Sequence, residues 1–269
     1  MVLKVLLIIP FITVNCWFFA QSLTYKYSIP LNDKNEIWTP DNTGNVYLYG
    51  SEILEKKSNG QLPSFSQSIK SVGIVDDILP INALKTYLFS ESQQQLCLID
   101  NTLSIQSSCL DLEEYEIQYA LKCAISGRPN LIYIYDQFNS TLFLINTKTK
   151  TIIQKVPNLE GILNDELEIA ELIEYENDLY IRTSTNNVYQ FDMFLNLKKQ
   201  LPETSKALNF HKNSIVEIDN NILIFKHLKS SEKKIIPIEN ITPTELKIMG
   251  NSFYFSTEFE IRVYEYYPN

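Results

Sequence analysis

Residues 131–146 set the rhythm of this chain. A run of Leu131, Ile132, Tyr133, Ile134 and Tyr135 is followed by a polar stretch at 136–140. A second run, Thr141, Leu142, Phe143, Leu144 and Ile145, then ends on Asn146. Two short runs of β-branched and aromatic residues around a polar turn predict a β-hairpin. The phrase recurs. Tyr87 precedes Tyr133 by 46 residues, Tyr180 follows it by 47, and Asp100, Asn146 and Asp192 stand 46 apart. A fixed period near 46 residues with strands in every repeat predicts a propeller or a solenoid.

Taken in order, 24–29 alternates as one edge strand does. A turn at 41–44, where side-chain caps meet a permissive glycine, separates 37–40 from 45–49 in a first, shortened repeat. Three strong copies follow. The second repeat has strands at 69–75, 85–90, 96–99 and 104–110. The third has them at 118–125, 131–135, 141–145 and 151–156, and the fourth at 169–175, 178–183, 188–191 and 195–200. The fifth, 210–238, is degenerate, and the sixth, 246–267, stops one strand short. Pairing 25–29 with the last repeat closes the ring and removes two exposed edges. The expected fold is therefore all-β, a single propeller of about six four-stranded blades, with five as the alternative. One segment fits another period. Leu159, Ile162, Leu163, Leu167, Ala170 and Ile173 follow helical spacing, so a short helix within 158–173 competes there with strand. With seven glycines in 269 residues, Asn, Asp and Ser must make most turns.

Composition changes the picture at the N-terminus. Lys4, an apolar stretch at 5–14 and a short segment ending at Ala20 have the anatomy of an export signal, with cleavage expected between Ala20 and Gln21. Lipidation at Cys16 is the alternative, but the preceding Thr13, Val14 and Asn15 lack the usual small residue. Pro10 interrupts the apolar run, which also falls short of the ~20 residues that span a bilayer. The predicted mature domain, 21–269, has no other apolar segment of membrane length. Losing Lys4 takes its formal charge from −9 to −10. That excess of acids argues against a nucleic-acid partner. Cys97 and Cys109 are symmetric about Leu103 and could face each other across adjacent strands as a disulfide, or be buried as small apolar residues together with Cys123.

Candidate chemistry is sparse. No CxxC pair accompanies His211 or His227, no Gly-x-Ser-x-Gly elbow is present, and no calcium loop of the Asp-x-Asp-x-Asp-Gly kind occurs. Catalytic residues, cofactor ligands and metal ligands are expected to be absent. Tyr47, Tyr87, Tyr133, Tyr180 and Tyr254 share one register, which suits packing between neighbouring sheets better than a binding set. Asp100, Asn146 and Asp192 recur as turn openers. Asn139 and Asn240 open glycosylation triplets, which matter only in a cell that glycosylates.

The segments 41–48 and 188–192 resemble exported bacterial β-propeller proteins of the cell envelope, a group that includes the propeller subunit of the outer-membrane β-barrel assembly machinery. The resemblance covers most of 37–265 as a rhythm. It implies a periplasmic scaffold, often set against an outer-membrane partner. Quinoprotein propellers carry a tryptophan motif in each blade; here only Trp38 remains after the signal, which argues against a quinone cofactor.

Three function classes follow. The first is a non-enzymatic scaffold for an envelope protein complex, marked by an extended apolar or charged patch on one face. The second is a glycan- or small-ligand-binding module, marked by aromatics at the mouth of the ring. The third is a carbohydrate-active enzyme, marked by a carboxylate pair in the central funnel. The scaffold is the expected class. Its docking site is expected in the longest connection, between the third and fourth repeats, where Leu159, Ile162 and Leu163 stand among Glu160, Asp165 and Glu166. The competing expectation is that these three residues pack down onto the ring.

Overall fold

The computed structural model describes residues 22–33, 36–58, 63–164, 168–201, 207–219, 221–239 and 241–267. The expected cleavage site at Ala20 and Gln21 lies outside them. Strand β1 (Ser22–Pro30) comes first. The first blade is β2 (Ile37–Pro40), β3 (Asn45–Gly50), β4 (Ile53–Ser58) and β5 (Pro63–Ser68). The second is β6 (Asp77–Asn82), β7 (Lys85–Ser90), β8 (Gln95–Asp100) and β9 (Leu110–Asp111). The third is β10 (Ala120–Ile125), β11 (Leu131–Asp136), β12 (Thr141–Asn146) and β13 (Thr151–Val156). The fourth is β14 (Ile169–Tyr175), β15 (Asp178–Thr183), β16 (Val188–Phe191) and β17 (Leu197–Leu201). The fifth is β18 (Phe210–His211), β19 (Ser214–Asp219), β20 (Ile222–His227) and β21 (Lys233–Pro237). The sixth takes β22 (Glu245–Met249), β23 (Ser252–Ser256) and β24 (Glu260–Tyr267), and β1 completes it as the outermost strand.

These six antiparallel four-stranded sheets form a β-propeller. The innermost strands stand side by side around the axis, β2 against β6, β6 against β10, β10 against β14, and β22 against β2. Ring closure is the antiparallel pairing of β1 with β24, from Ser22 opposite Tyr267 to Pro30 opposite Glu260. Every other strand pairs with a sequence neighbour through a short connection.

The core is not one mass but six wedges, one at each seam between adjacent blades. This explains why the middle strands read as unbroken apolar runs. Successive side chains point to opposite faces of a sheet, and here both faces are buried. On β11, Ile132 and Ile134 fill the seam with the second blade, while Tyr133 and Tyr135 fill the seam with the fourth. Each fully buried side chain of this size contributes roughly 1.5–3 kcal/mol relative to exposure. Among the described residues, the seam between blades three and four holds fourteen buried members and that between blades four and five six.

Several local expectations are corrected. The inner strand of the second blade is Asp77–Asn82, not 69–75. Lys70–Val72 forms a 3-10 turn, Gly73 takes a left-handed φ of 80°, and Ile69, Val72 and Val75 are buried as a packed connection rather than as a strand. Pro80 sits inside that strand because an innermost strand is an edge, where a missing N–H costs no ladder bond. Of 104–110, only Leu110 enters the outer strand, with an isolated bridge between Ile99 and Ile105. The first blade has all four strands rather than a shortened set. In 158–173 the helix is one turn, α1 (Leu159–Leu163), and from Ile169 the chain is strand β14.

Turns follow the scarcity of glycine. Among the described residues, seventeen non-glycine positions have positive φ, six of them Asn, the residue that tolerates the left-handed region best. Gly44 supplies φ 87° where the Asp41 carboxylate accepts from the backbone N–H of Thr43 (2.8 Å) and Asn45 (3.0 Å).

Candidate functional site

The residues that the sequence singles out divide into packing, turn and surface groups. A disulfide joins Cys97 on β8 to Cys109 just before β9, with their Cα atoms 4.2 Å apart. It staples the one outer strand that is only two residues long, and closing a loop of this size lowers denatured-state entropy by about 3 kcal/mol. Cys123 is free and buried.

Leu159 and Leu163 are core residues of the seam between blades three and four, and only Ile162 is exposed. A three-residue apolar knob at this connection is therefore corrected. The amphipathic turn of α1, capped by Asn158 Oδ1 accepting from Gly161 N (3.2 Å), directs two of the three side chains inward. Tyr47, Tyr133, Tyr180 and Tyr254 occupy the third position of the second strand in their blades and are buried between sheets. Burial holds the Tyr180 and Tyr254 hydroxyls well above the usual phenol range. Asp100, Asn146 and Asp192 open turns as expected, each accepting from two backbone N–H groups downstream.

The axis carries a charged lining from different inner strands: Asp77 on β6, Lys122 on β10, Glu171 on β14 and Lys247 on β22. Lys247 Nζ lies 4.8 Å from the centre of the Trp38 ring, donates to the Trp38 carbonyl, and pairs with Glu245 at 3.4 Å. Glu171 Oε2 accepts from Arg182 Nε at 2.7 Å and from Leu208 N at 2.7 Å. Desolvation pushes the Asp77 carboxyl up to about 6. Lys247 and Lys122 and the Ile78 N–H oppose that shift, and Glu171 adds to it.

A carboxyl whose folded pKa exceeds its unfolded value of about 3.9 stabilises fully below that value and loses its contribution as pH rises through about 6. Asp77→Asn should therefore stabilise the protein at neutral pH by about 1 kcal/mol. That figure is discounted because the side chain is half-buried, and it corresponds to roughly 2–4 °C in melting temperature. The gain should vanish near pH 4. Melting curves of both proteins across that range decide it, and a gain that is flat with pH would contradict the assignment.

The two faces of the ring differ. Turns joining second to third strands and connections between blades emerge on one face, tied together by Gln137 N to Tyr119 O (2.9 Å), Leu159 N to Ser140 O (2.8 Å) and Asp76 N to Phe89 O (2.9 Å). This face exposes Ile74, Tyr119, Phe138, Ile162 and Phe259, with Phe138 74% and Phe259 73% accessible. The carboxylates of Asp76, Glu91 and Glu160 lie among them. Sequence reasoning missed four of these five apolar residues. A large apolar side chain alone in a polar turn, as Phe138 is within 136–140, was the available signal.

The opposite face has a cleft of about 420 Å³ at the outer part of the seam between blades five and six, adjoining a second of about 430 Å³ toward blade four; His211 and Lys212 line both. Among the described residues no group of three or more His, Cys, Asp or Glu side chains could hold a metal ion, and no helix is long and apolar enough to cross a membrane.

No protein-family model and no curated protein matches the chain by sequence. Solved structures do resemble it. The WD40 domain of Pan2 from Neurospora crassa aligns with 87% of this chain and 79% of its own, at 10% identity and a TM-score of 0.59. BamB from Moraxella catarrhalis aligns with 91% of this chain and 100% of its own, at 12% identity and a TM-score of 0.52. The likeness is one of fold. At such identities a shared propeller carries no shared activity.

Proposed function

We propose that this protein is a non-enzymatic, protein-binding scaffold of the bacterial cell envelope, exported and associated with an outer-membrane assembly or secretion complex. The observation that carries the reading is the set of exposed apolar side chains on the face of the blade connections. Phe138 and Phe259 stand about three-quarters in solvent on short, hydrogen-bonded turns, with carboxylates nearby. Aromatic anchors on a rigid frame, surrounded by charge, supply affinity and steering to a protein partner. The export-signal anatomy of residues 1–20, a disulfide suited to an oxidising compartment, and the resemblance to envelope propellers support the location.

The test is co-purification from a mild detergent extract, followed by mass spectrometry, with the unaltered chain and with a Phe138→Ser/Phe259→Ser variant. Neither ring is packed in a seam, so the melting temperature should hold. The principal co-purifying protein should fall by roughly tenfold or more, as the loss of aromatic anchors from an interface does. Undiminished recovery of that partner on the variant would refute the proposed face.

A further inference from the structure

We infer that the cleft at the seam of blades five and six binds a small molecule carrying a tetrahedral oxyanion, a phosphate or sulfate group. The cleft exists because the fifth blade departs from its siblings. At the register where four other blades bury a tyrosine in the following seam, this blade has Val216. Its innermost strand β18 is only the pair Phe210–His211. A missing phenol ring and a short inner wall leave space that His211, Phe225 and Tyr266 fill only in part. Their rings lie 5.2–6.2 Å apart, which gives the cleft a rigid aromatic floor. A volume of about 420 Å³ is within the range of small-ligand sites.

The lining chemistry selects the ligand. Among the described residues, Lys212, Lys233 and Lys234 border the cleft with a single carboxylate, Glu232, in a chain whose formal charge is −9. Such a local reversal of charge gathers anions from solution. Lys234 is fixed in place, its ammonium 5.5 Å from the centre of the Phe225 ring and 5.1 Å from that of Tyr266, and donating to the Tyr266 hydroxyl. His227 Nδ1 accepts from the backbone N–H of Lys229 (3.3 Å) and Ser230 (3.1 Å). With Nδ1 accepting, Nε2 carries the ring's N–H and is a donor. His211 contributes shape rather than charge, because burial holds its pKa below the usual imidazole value and its Nε2 is engaged with Asn251 Oδ1 at 3.2 Å.

No arginine lines the cleft. Lysines act as compact point charges without the planar fork that matches a carboxylate, and that suits a tetrahedral oxyanion approached from several directions. The cleft lies on the face opposite the aromatic anchors, so it is independent of the protein-docking reading.

Calorimetric titration of the full chain with inorganic phosphate, and separately with sodium sulfate, at an ionic strength held constant with sodium chloride, tests the site. Saturable binding of at least one oxyanion is expected, with the relative affinities naming which group the ligand bears. A Lys212→Gln/Lys233→Gln variant should bind at least tenfold more weakly. Both side chains are exposed, so its melting temperature should be unchanged, and a Lys148→Gln variant on the third blade should bind as the unaltered chain does. Absence of saturable binding by both anions, or equal affinity in the Lys212→Gln/Lys233→Gln variant, overturns the inference.

Discussion

Removing Ser22–Pro30 should convert this protein's closed ring into associating species that no longer melt in one cooperative step. Strand β1 is the only strand of the described fold with no partner near it in sequence, and β24 is its partner over the full run from Glu260 to Tyr267. Without it, an eight-residue strand presents unpaired N–H and C=O groups, the template on which edge-to-edge association proceeds. The loss reaches the core as well. Ile29 is fully buried in the seam between the sixth and first blades, and truncating such a side chain alone costs about 2–5 kcal/mol. Light scattering coupled to size exclusion reads the outcome. A truncated protein that kept the mass in solution expected of the unaltered chain's assembly, with an unchanged melting temperature, would show that β1 does not close the ring. Ile29→Ala, which keeps the strand, should lower the melting temperature but leave the association state of the unaltered chain unchanged.

Asp136→Ala should be the most damaging single substitution of a polar residue. The Asp136 carboxylate is fully buried at the end of β11. One oxygen accepts from the N–H of Tyr119 (3.0 Å) and Phe138 (3.1 Å), and the other from the N–H of Gln118 (3.1 Å) and from Asn139 Nδ2 (2.8 Å). One side chain thus ties a turn of the third blade to the connection arriving from the second. Alanine leaves these donors without their acceptor at a position where the carboxylate itself is fully buried. Each buried orphan costs about 1–3 kcal/mol, so the loss of several together costs roughly 3 kcal/mol or more. At roughly 2–4 °C per kcal/mol for a chain of this size, melting should fall by about 10 °C or more. Asp136→Asn keeps one accepting oxygen and should cost less. A fall of under about 1 kcal/mol for the alanine variant would show that water replaces the carboxylate. Because Tyr119 and Phe138 flank this junction, the same substitution should weaken partner capture at the proposed face.

The sequence by itself determined the repeat, and with it the fold class, the hairpins of the third and fourth blades and the closure by the N-terminal strand. Strands buried on both faces must be apolar at nearly every position, so Leu131–Asp136 and Thr141–Asn146 announce themselves without reference to anything distant. The turn openers Asp100, Asn146 and Asp192 were legible for the same reason, since each bonds only its own next few residues. Tertiary structure decided what depends on a neighbouring blade. Whether Ile69, Val72 and Val75 form a strand or a packed connection turns on what the next sheet leaves for them to cover. Leu159 and Leu163 read as a knob or as core according to whether a seam lies beneath them. The cleft of the fifth blade is a matter of a ring that Val216 does not supply to a space bounded by β24, forty residues on. Local pattern fixes which residues must be hidden; only the packing of one sheet against the next fixes where they hide, and which few, such as Phe138 and Phe259, are left facing solvent.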